Sequence, residues 1–183
     1  MNANFVKRIQ NIMRKDSGIS GDAQRIEQMV WMIFLKVYDA KEEEWEFKAY
    51  KTKQKFTSII PDEFRWRNWA PSVDAEGRAV GAVRTGDDLL KFINRMFETL
   101  RGLNVTPQTP IRQAIVRELF QEVNQYQKNG VLLREVINVI DEIDFNDAGE
   151  RHVFGDIYEG ILKDLPSAGN AGEFYTPRAL TDF

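Results

Sequence analysis

The sequence predicts an all-α protein built as a multi-helix bundle. Apolar residues recur at three- and four-residue spacing through most of the 183 positions, and turn-forming residues separate these stretches. No stretch shows the sustained alternation of β-branched residues that indicates a strand. The apolar content of 43% with 29% charged residues is ordinary for a globular domain, and the length suits one domain with a tail.

The composition excludes several kinds of chemistry. The absence of cysteine excludes disulfides, zinc knuckles and thiol catalysis from these residues, and His152 is the one histidine. The formal charge of −3 does not mark the whole chain as a nucleic-acid binder, so such a role would need a local patch. The N-terminus lacks the apolar core of a signal peptide, and the most apolar run, residues 29–38, is half of a bilayer-spanning helix. We therefore expect a cytoplasmic protein without membrane contact.

Two helices are predicted in the first fifty residues. The first is amphipathic and covers about 3–15. Ser20 or Asp22 can cap the second, which covers about 22–50. Its first half is apolar nearly all round, which predicts a place at the centre of the bundle. Its second half has acids followed by bases, an order that complements the helix macrodipole and so has a purely structural explanation.

The segment 55–70 is the most aromatic part of the chain. Pro61, followed by two acids, favours a helix start. Trp66 and Trp69 are expected in the core. Residues 71–81 have the composition of a loop.

Further helices are predicted from start and stop signals. Thr85 begins a near capping box, and Gly102 sits where a C′ glycine belongs. Thr109–Pro110 repeats the signal of a cap followed by proline, and Asn129–Gly130 is predicted to end that helix. Two more helices are expected, from Leu132 to Ile140 and from Asp147 to Leu165, with Pro166 closing the last.

A basic run follows the acids of the second helix. Lysines near aromatic rings can neutralise phosphates and stack on bases, whereas a lysine-rich helix end is also typical of a solvated face. The candidate DNA contacts are Lys48, Lys51, Lys53 and Lys55, with Tyr50, Phe56, Arg65 and Arg67 nearby.

No catalytic residue and no metal site are predicted. The acidic cluster lacks the glycine and the terminal glutamate of a calcium loop, so solvated helix-end acids are favoured. Its members are Asp141, Glu142, Asp144, Asp147 and Glu150. His152 near Asp156 could act as a general base, but no nucleophile is suggested nearby, and a surface or capping histidine is favoured.

The last dozen residues indicate a new element. Thr176 is a good N-cap and Pro177 a good first helical residue, so a helix should begin there. The sequence stops at Phe183, before two turns are complete. We therefore expect this chain to be the front part of a larger protein.

Several segments of the chain carry motifs that occur together in one known family: Gly172–Arg178, Phe34–Lys36, Ile143–Phe145, Gly155, Tyr158–Glu159 and Ile161–Leu162. In these segments the chain resembles the M subunits of type I restriction-modification systems, which are adenine-specific DNA methyltransferases. The resemblance covers essentially the whole chain. It implies an N-terminal helical domain at 1–165 and, at 166–183, a linker and the start of an α/β, Rossmann-like methyltransferase domain.

The resemblance also implies sites and partners. It assigns S-adenosylmethionine binding to Glu173, Phe174, Tyr175, Thr176, Pro177 and Arg178. The family's glycine-rich cofactor loop and Asn-Pro-Pro-aromatic motif are absent from this sequence, so methyl transfer to adenine N6 is implied for the complete protein, and this chain alone is expected to be inactive. The implied partners are DNA, the specificity and restriction subunits, and a second M subunit, with a role in assembly and DNA enclosure. The alternative is a non-catalytic helical protein-interaction module whose terminal motif matches by chance.

Overall fold

A computed structural model describes residues 2–74 and 76–143, and this part of the chain is helical, as predicted. Its elements are α1 (Asn2–Met13), α2 (Asp22–Lys51), a 3-10 turn (Asp62–Phe64), α3 (Trp66–Trp69), α4 (Gly86–Arg101), α5 (Ile111–Glu122) and α6 (Gly130–Asp141). One isolated antiparallel bridge joins Val73 to Ala79 inside the predicted loop. None of the described helices has the length and apolarity needed to span a membrane. The helix predicted at 147–165 lies outside the described residues.

The first half of α2 forms the centre of the bundle, which confirms the prediction. Every residue from Gln28 to Leu35 is buried. The Trp31 ring packs edge-on against Phe97, which packs in the same way against Phe120, so aromatic contacts join α2 to α4 and α5. The helix α6 packs against α1, α2 and α4.

The aromatic segment after α2 forms two short elements rather than one helix. The 3-10 turn follows Pro61, and α3 begins after a break at Arg65. Trp66 and Trp69 are buried, as predicted. Each indole also finds a polar partner, because Trp66 donates to the carboxylate of Asp141 at 2.7 Å and Trp69 to a backbone carbonyl in the 3-10 turn.

Three of the predicted helix caps are wrong in detail. Gly21 is the N-cap of α2, and Ser20 is bonded to Gln24 instead. Thr85 is the N-cap of α4, but its side chain makes no capping bond. Gly102 ends α4 with a φ of −83°, so it does not use the left-handed conformation for which glycine is favoured there.

The boundary between α5 and α6 also differs from the prediction. Pro110 is the N-cap of α5, and Thr109 bonds to Thr106 rather than capping the helix. The helix ends at Glu122, earlier than expected, and Asn129 caps α6 by accepting bonds from two of its first amides. An asparagine before a glycine is thus a start signal here, not a stop.

Buried side chains explain why the chain between α5 and α6 is not helical. Gln28 accepts a hydrogen bond from the amide of Tyr126 at 2.9 Å. Asp16 accepts from the amides of Lys128 and Asn129, both at 3.0 Å. These bonds replace those of a helix, since buried backbone groups must find partners. They also fix the segment beside the N-terminal end of α2.

Candidate nucleic-acid interface

The last turns of α2 extend beyond the core. Glu42 is the last buried residue of this helix, which continues to Lys51. At 1.5 Å per residue, the helix end lies about 13 Å beyond Glu42. The chain then returns, because the Glu42 carboxylate accepts a hydrogen bond from the Ser58 hydroxyl at 2.6 Å and another from the amide of Ile59 at 3.2 Å. Residues 43–57 thus form a projection that we call the α2 tip.

The α2 tip presents cations together with aromatic rings. The four lysines at 48, 51, 53 and 55 are all exposed, and none takes part in the ion pairs found among the described residues. Phe47 and Tyr50 are 59% and 82% exposed. The Lys51 ammonium lies 4.3 Å from the centre of the Phe47 ring. Exposed ammonium groups and exposed aromatic rings are the groups that contact phosphates, sugars and bases.

An arginine from a distant part of the sequence lies at the base of the α2 tip. The guanidinium of Arg112 is 5.3 Å from the ring of Trp45 and 5.4 Å from that of Phe56. It thus connects the outgoing helix to the returning segment and adds positive charge. Sequence analysis missed this residue, because its periodicity predicts a helix but not which helix it meets.

Arg65 and Arg67 do not join the basic surface, although the sequence places them near it. Arg67 donates from Nε to Asp39 at 2.9 Å and from its backbone amide to the same carboxylate at 3.1 Å. Arg65 donates to Glu46 at 2.7 Å, and its Nε lies 3.5 Å from Glu42. Both guanidinium groups are therefore engaged by carboxylates of α2.

The acidic turns of α2, residues 39–46, are only partly compensated by these arginines. Burial raises the pKa of Asp39 and of Glu42, while hydrogen bonds to both carboxylates and the charges of the neighbouring arginines act in the opposite direction. The arginines and the acids form a compact cluster between α2 and α3. Among the described residues, no ion pair joins this cluster to the lysines of the α2 tip.

Two members of the predicted acidic cluster are described, and both have structural partners. Asp141 accepts hydrogen bonds from Lys36 at 3.1 Å and from Trp66. Glu142 accepts two bonds from Arg8, at 2.7 and 2.9 Å. The preference for solvated acids is therefore wrong for Asp141, which is tied to α2 and α3. Among the described residues, no group of three or more histidine or acidic side chains is placed to hold a metal ion.

The remaining candidates fall outside the described part of the chain. They are Asp144, Asp147, Glu150, His152 and the cofactor residues Glu173, Phe174, Tyr175, Thr176, Pro177 and Arg178. The predicted DNA contacts are thus among the described residues, whereas the cofactor assignment stays a prediction.

Comparison with known proteins gives matches along the whole chain. The HsdM N-terminal domain family matches residues 2–140, and the N-6 DNA methylase family matches residues 149–183. The methylase subunit of the type I restriction enzyme EcoEI from Escherichia coli is 48% identical over 182 residues, which is 99% of this chain and 35% of that subunit.

Two solved structures share the fold at 33% sequence identity. One, from Vibrio vulnificus, is a modification subunit assigned to a type I restriction enzyme; it has a TM-score of 0.77, and the match covers 96% of this chain and 37% of that one. The other comes from work on complex assembly and conformational transition of a type I R-M system; its TM-score is 0.72, with 97% and 33% covered. This chain spans about a third of the length of these relatives. It belongs to the HsdM family of type I modification methylase subunits.

Proposed function

We propose that this chain is the N-terminal domain of a type I restriction-modification DNA methyltransferase subunit, and that it serves assembly and DNA enclosure. The complete protein would transfer the methyl group of S-adenosylmethionine to N6 of an adenine flipped out of the duplex. The match of residues 149–183 to the N-6 DNA methylase family supports this activity. Glu173 to Arg178 would contribute to the cofactor pocket. The predicted boundary at 165/166 remains a proposal, as do the specificity subunit, the restriction subunit and a second M subunit as partners.

The α2 tip is the observation that carries the DNA-contact part of the proposal. Lys48, Lys51, Lys53 and Lys55 extend beyond the core and are exposed. Each phosphate that a lysine neutralises releases counterions, so such a surface binds DNA without regard to sequence and holds it more weakly as salt rises. Because the acidic turns nearby are bonded to Arg65 and Arg67, their charge opposes this attraction less than the sequence suggests.

A charge reversal in the complete methyltransferase complex tests the proposal. We expect Lys51→Glu, Lys53→Glu and Lys55→Glu together to weaken binding to any duplex at least tenfold, and to reduce the slope of log affinity against log salt by about three. The matched control reverses three exposed lysines elsewhere, Lys7, Lys15 and Lys91, with the same change in net charge. Equal losses in both variants, or no loss in the tip variant, would remove the α2 tip as a DNA contact.

Cofactor binding tests the enzymatic part separately. In the complete protein, S-adenosylmethionine should bind with the same affinity before and after the tip reversal, because the charges lie outside the proposed pocket. The isolated 183-residue chain should give no heat of binding in a calorimetric titration, since the glycine-rich loop is absent from it. The alternative, a non-catalytic interaction module, would be favoured if the reading frame beyond Phe183 encoded neither that loop nor an Asn-Pro-Pro-aromatic run.

A further inference from the structure

Lys53 has an unusual backbone conformation for its residue type. Its φ of 54° lies in the left-handed region, and it is the only non-glycine residue with positive φ within 2–74 and 76–143. It directly follows the C-cap of α2, Thr52. The Lys53 amide donates to the carbonyl of Tyr50 at 3.2 Å, and the Gln54 amide donates to that of Ala49 at 2.9 Å. This pair of bonds defines a Schellman motif, whose left-handed position usually holds glycine.

A lysine at this position is strained. Its β-carbon crowds the following carbonyl oxygen in the left-handed conformation, which glycine avoids because it has no β-carbon. Within the described part of the chain, no hydrogen bond or ion pair is formed by the Lys53 ammonium, and the side chain is exposed. The strain is therefore not offset by a contact of the side chain with the described fold.

The helix dipole offers one structural reason for a cation here, since positive charge is favourable near the end of a helix. However, Lys48 and Lys51 already supply two cations in the last turn of α2 without left-handed strain. A glycine at position 53 would keep those two charges and remove the strain. The dipole therefore does not account for this lysine, and strain of this kind is commonly found at functional positions.

We propose that Lys53 is a phosphate-contacting residue at the end of the α2 tip, where the fold holds it in a strained conformation to present its ammonium to the backbone of duplex DNA. This inference rests on the proposed function of the tip and goes beyond it, because it singles out one lysine by its conformation. It also implies a trade-off, in which the residue that would best end the helix differs from the one that would best bind DNA.

The Lys53→Gly variant of the complete protein in its complex separates the two roles, because its two expected effects have opposite signs. We expect the unfolding temperature to rise by about one degree as the strain is released, since a gain of about 1 kcal/mol moves the midpoint of so long a protein only slightly. We also expect affinity for duplexes of unrelated sequence to fall several-fold, with the salt slope reduced by about one. Lys53→Arg should keep the affinity, and Lys53→Ala should lose the affinity without the gain in stability.

Three results would overturn the inference. A lower unfolding temperature for Lys53→Gly would mean that the lysine stabilises the helix end. Unchanged DNA affinity of Lys53→Gly, alongside weakened binding when Lys51 and Lys55 are changed to glutamate, would reject Lys53 while leaving the α2 tip as a DNA contact. Unchanged affinity in all of these variants would reject both the inference and the DNA-contact proposal.

Discussion

The acidic turns of α2, residues 39–46, are bonded to neighbouring side chains, whereas the basic stretch that follows, residues 48–55, extends into solvent at the end of α2 and just beyond it. The two stretches are adjacent in the sequence, and both fit the order of charges that complements a helix macrodipole. The difference arises outside the helix, because Arg65 and Arg67 reach Asp39, Glu42 and Glu46. No acidic group of the described residues forms an ion pair with the lysines of the α2 tip. The role of a charged stretch is thus decided by which distant residues reach it.

The largest loss of stability is expected from Arg65→Met, which removes a guanidinium group from the cluster of arginines and acids at residues 39–46. Asp39 and Glu42 would be left with less compensation in a nearly buried site, so we expect a loss of about 3–5 kcal/mol in the free energy of unfolding. Urea denaturation of the 183-residue chain, followed by circular dichroism, would measure it. Arg78→Met is the matched control, because Arg78 is likewise paired with more than one acid but is largely exposed, and its loss should cost less than about 1 kcal/mol. Similar losses in the two variants would mean that the cluster behaves as a surface ion pair.

A smaller effect is expected in the dependence of stability on pH. Burial raises the pKa of Glu42 and Asp39 above their ordinary values of 4.5 and 3.8. At pH values just above these, the two carboxyl groups keep protons in the folded chain that they have released in the unfolded chain. The free energy of unfolding should therefore fall as pH rises toward neutrality. In the Glu42→Gln variant, the midpoint of urea denaturation should fall less steeply as pH rises toward neutrality.

The control for the pH experiment is Glu142→Gln. Arg8 lowers the pKa of Glu142, so that this carboxylate contributes stability that is present above 4.5 and lost only as pH falls further. The Glu142→Gln variant should therefore keep the wild-type slope between pH 5 and neutrality. An unchanged slope in Glu42→Gln would show that Glu42 does not retain its proton in the folded state.

The smallest effect on stability is expected at the basic end. Changing Lys48, Lys51 and Lys55 together to glutamine removes three exposed charges that have no acidic partner among the described residues. Each substitution should change the free energy of unfolding by no more than about 0.5 kcal/mol. Urea denaturation would measure it. A loss near that of Arg65→Met would indicate that these lysines stabilise the fold, and the contrast between the two stretches would disappear.

The sequence was sufficient for features that depend on local periodicity. The predicted range of 22–50 for the long helix is close to the observed Asp22–Lys51, and the burial of Trp66 and Trp69 was expected from their aromatic setting. The early end of α5 could not be predicted, because it depends on bonds from Gln28 and Asp16, about a hundred residues away.

The candidate site shows the same limit. The exposed lysines of the α2 tip follow from the helix pattern, so sequence analysis could select them. The pairing of Arg65 and Arg67 with α2 and the position of Arg112 over Trp45 depend on tertiary packing. The conformation of Lys53 was also unexpected, because glycine is the residue that normally predicts a left-handed helix end.

Photocrosslinking in the complete methyltransferase complex tests the central claim, contact between the α2 tip and DNA, most directly. Tyr50→p-benzoylphenylalanine places the reactive group among the tip lysines, at a position that is 82% exposed. The control is the same substitution at Val131, which is exposed at the start of α6. Val131 follows the segment that is bonded to Asp16, and so lies toward the opposite end of α2. We predict crosslinks to duplex DNA from position 50 and none from position 131. Crosslinks from position 131 alone, or only protein–protein crosslinks from position 50, would contradict the account.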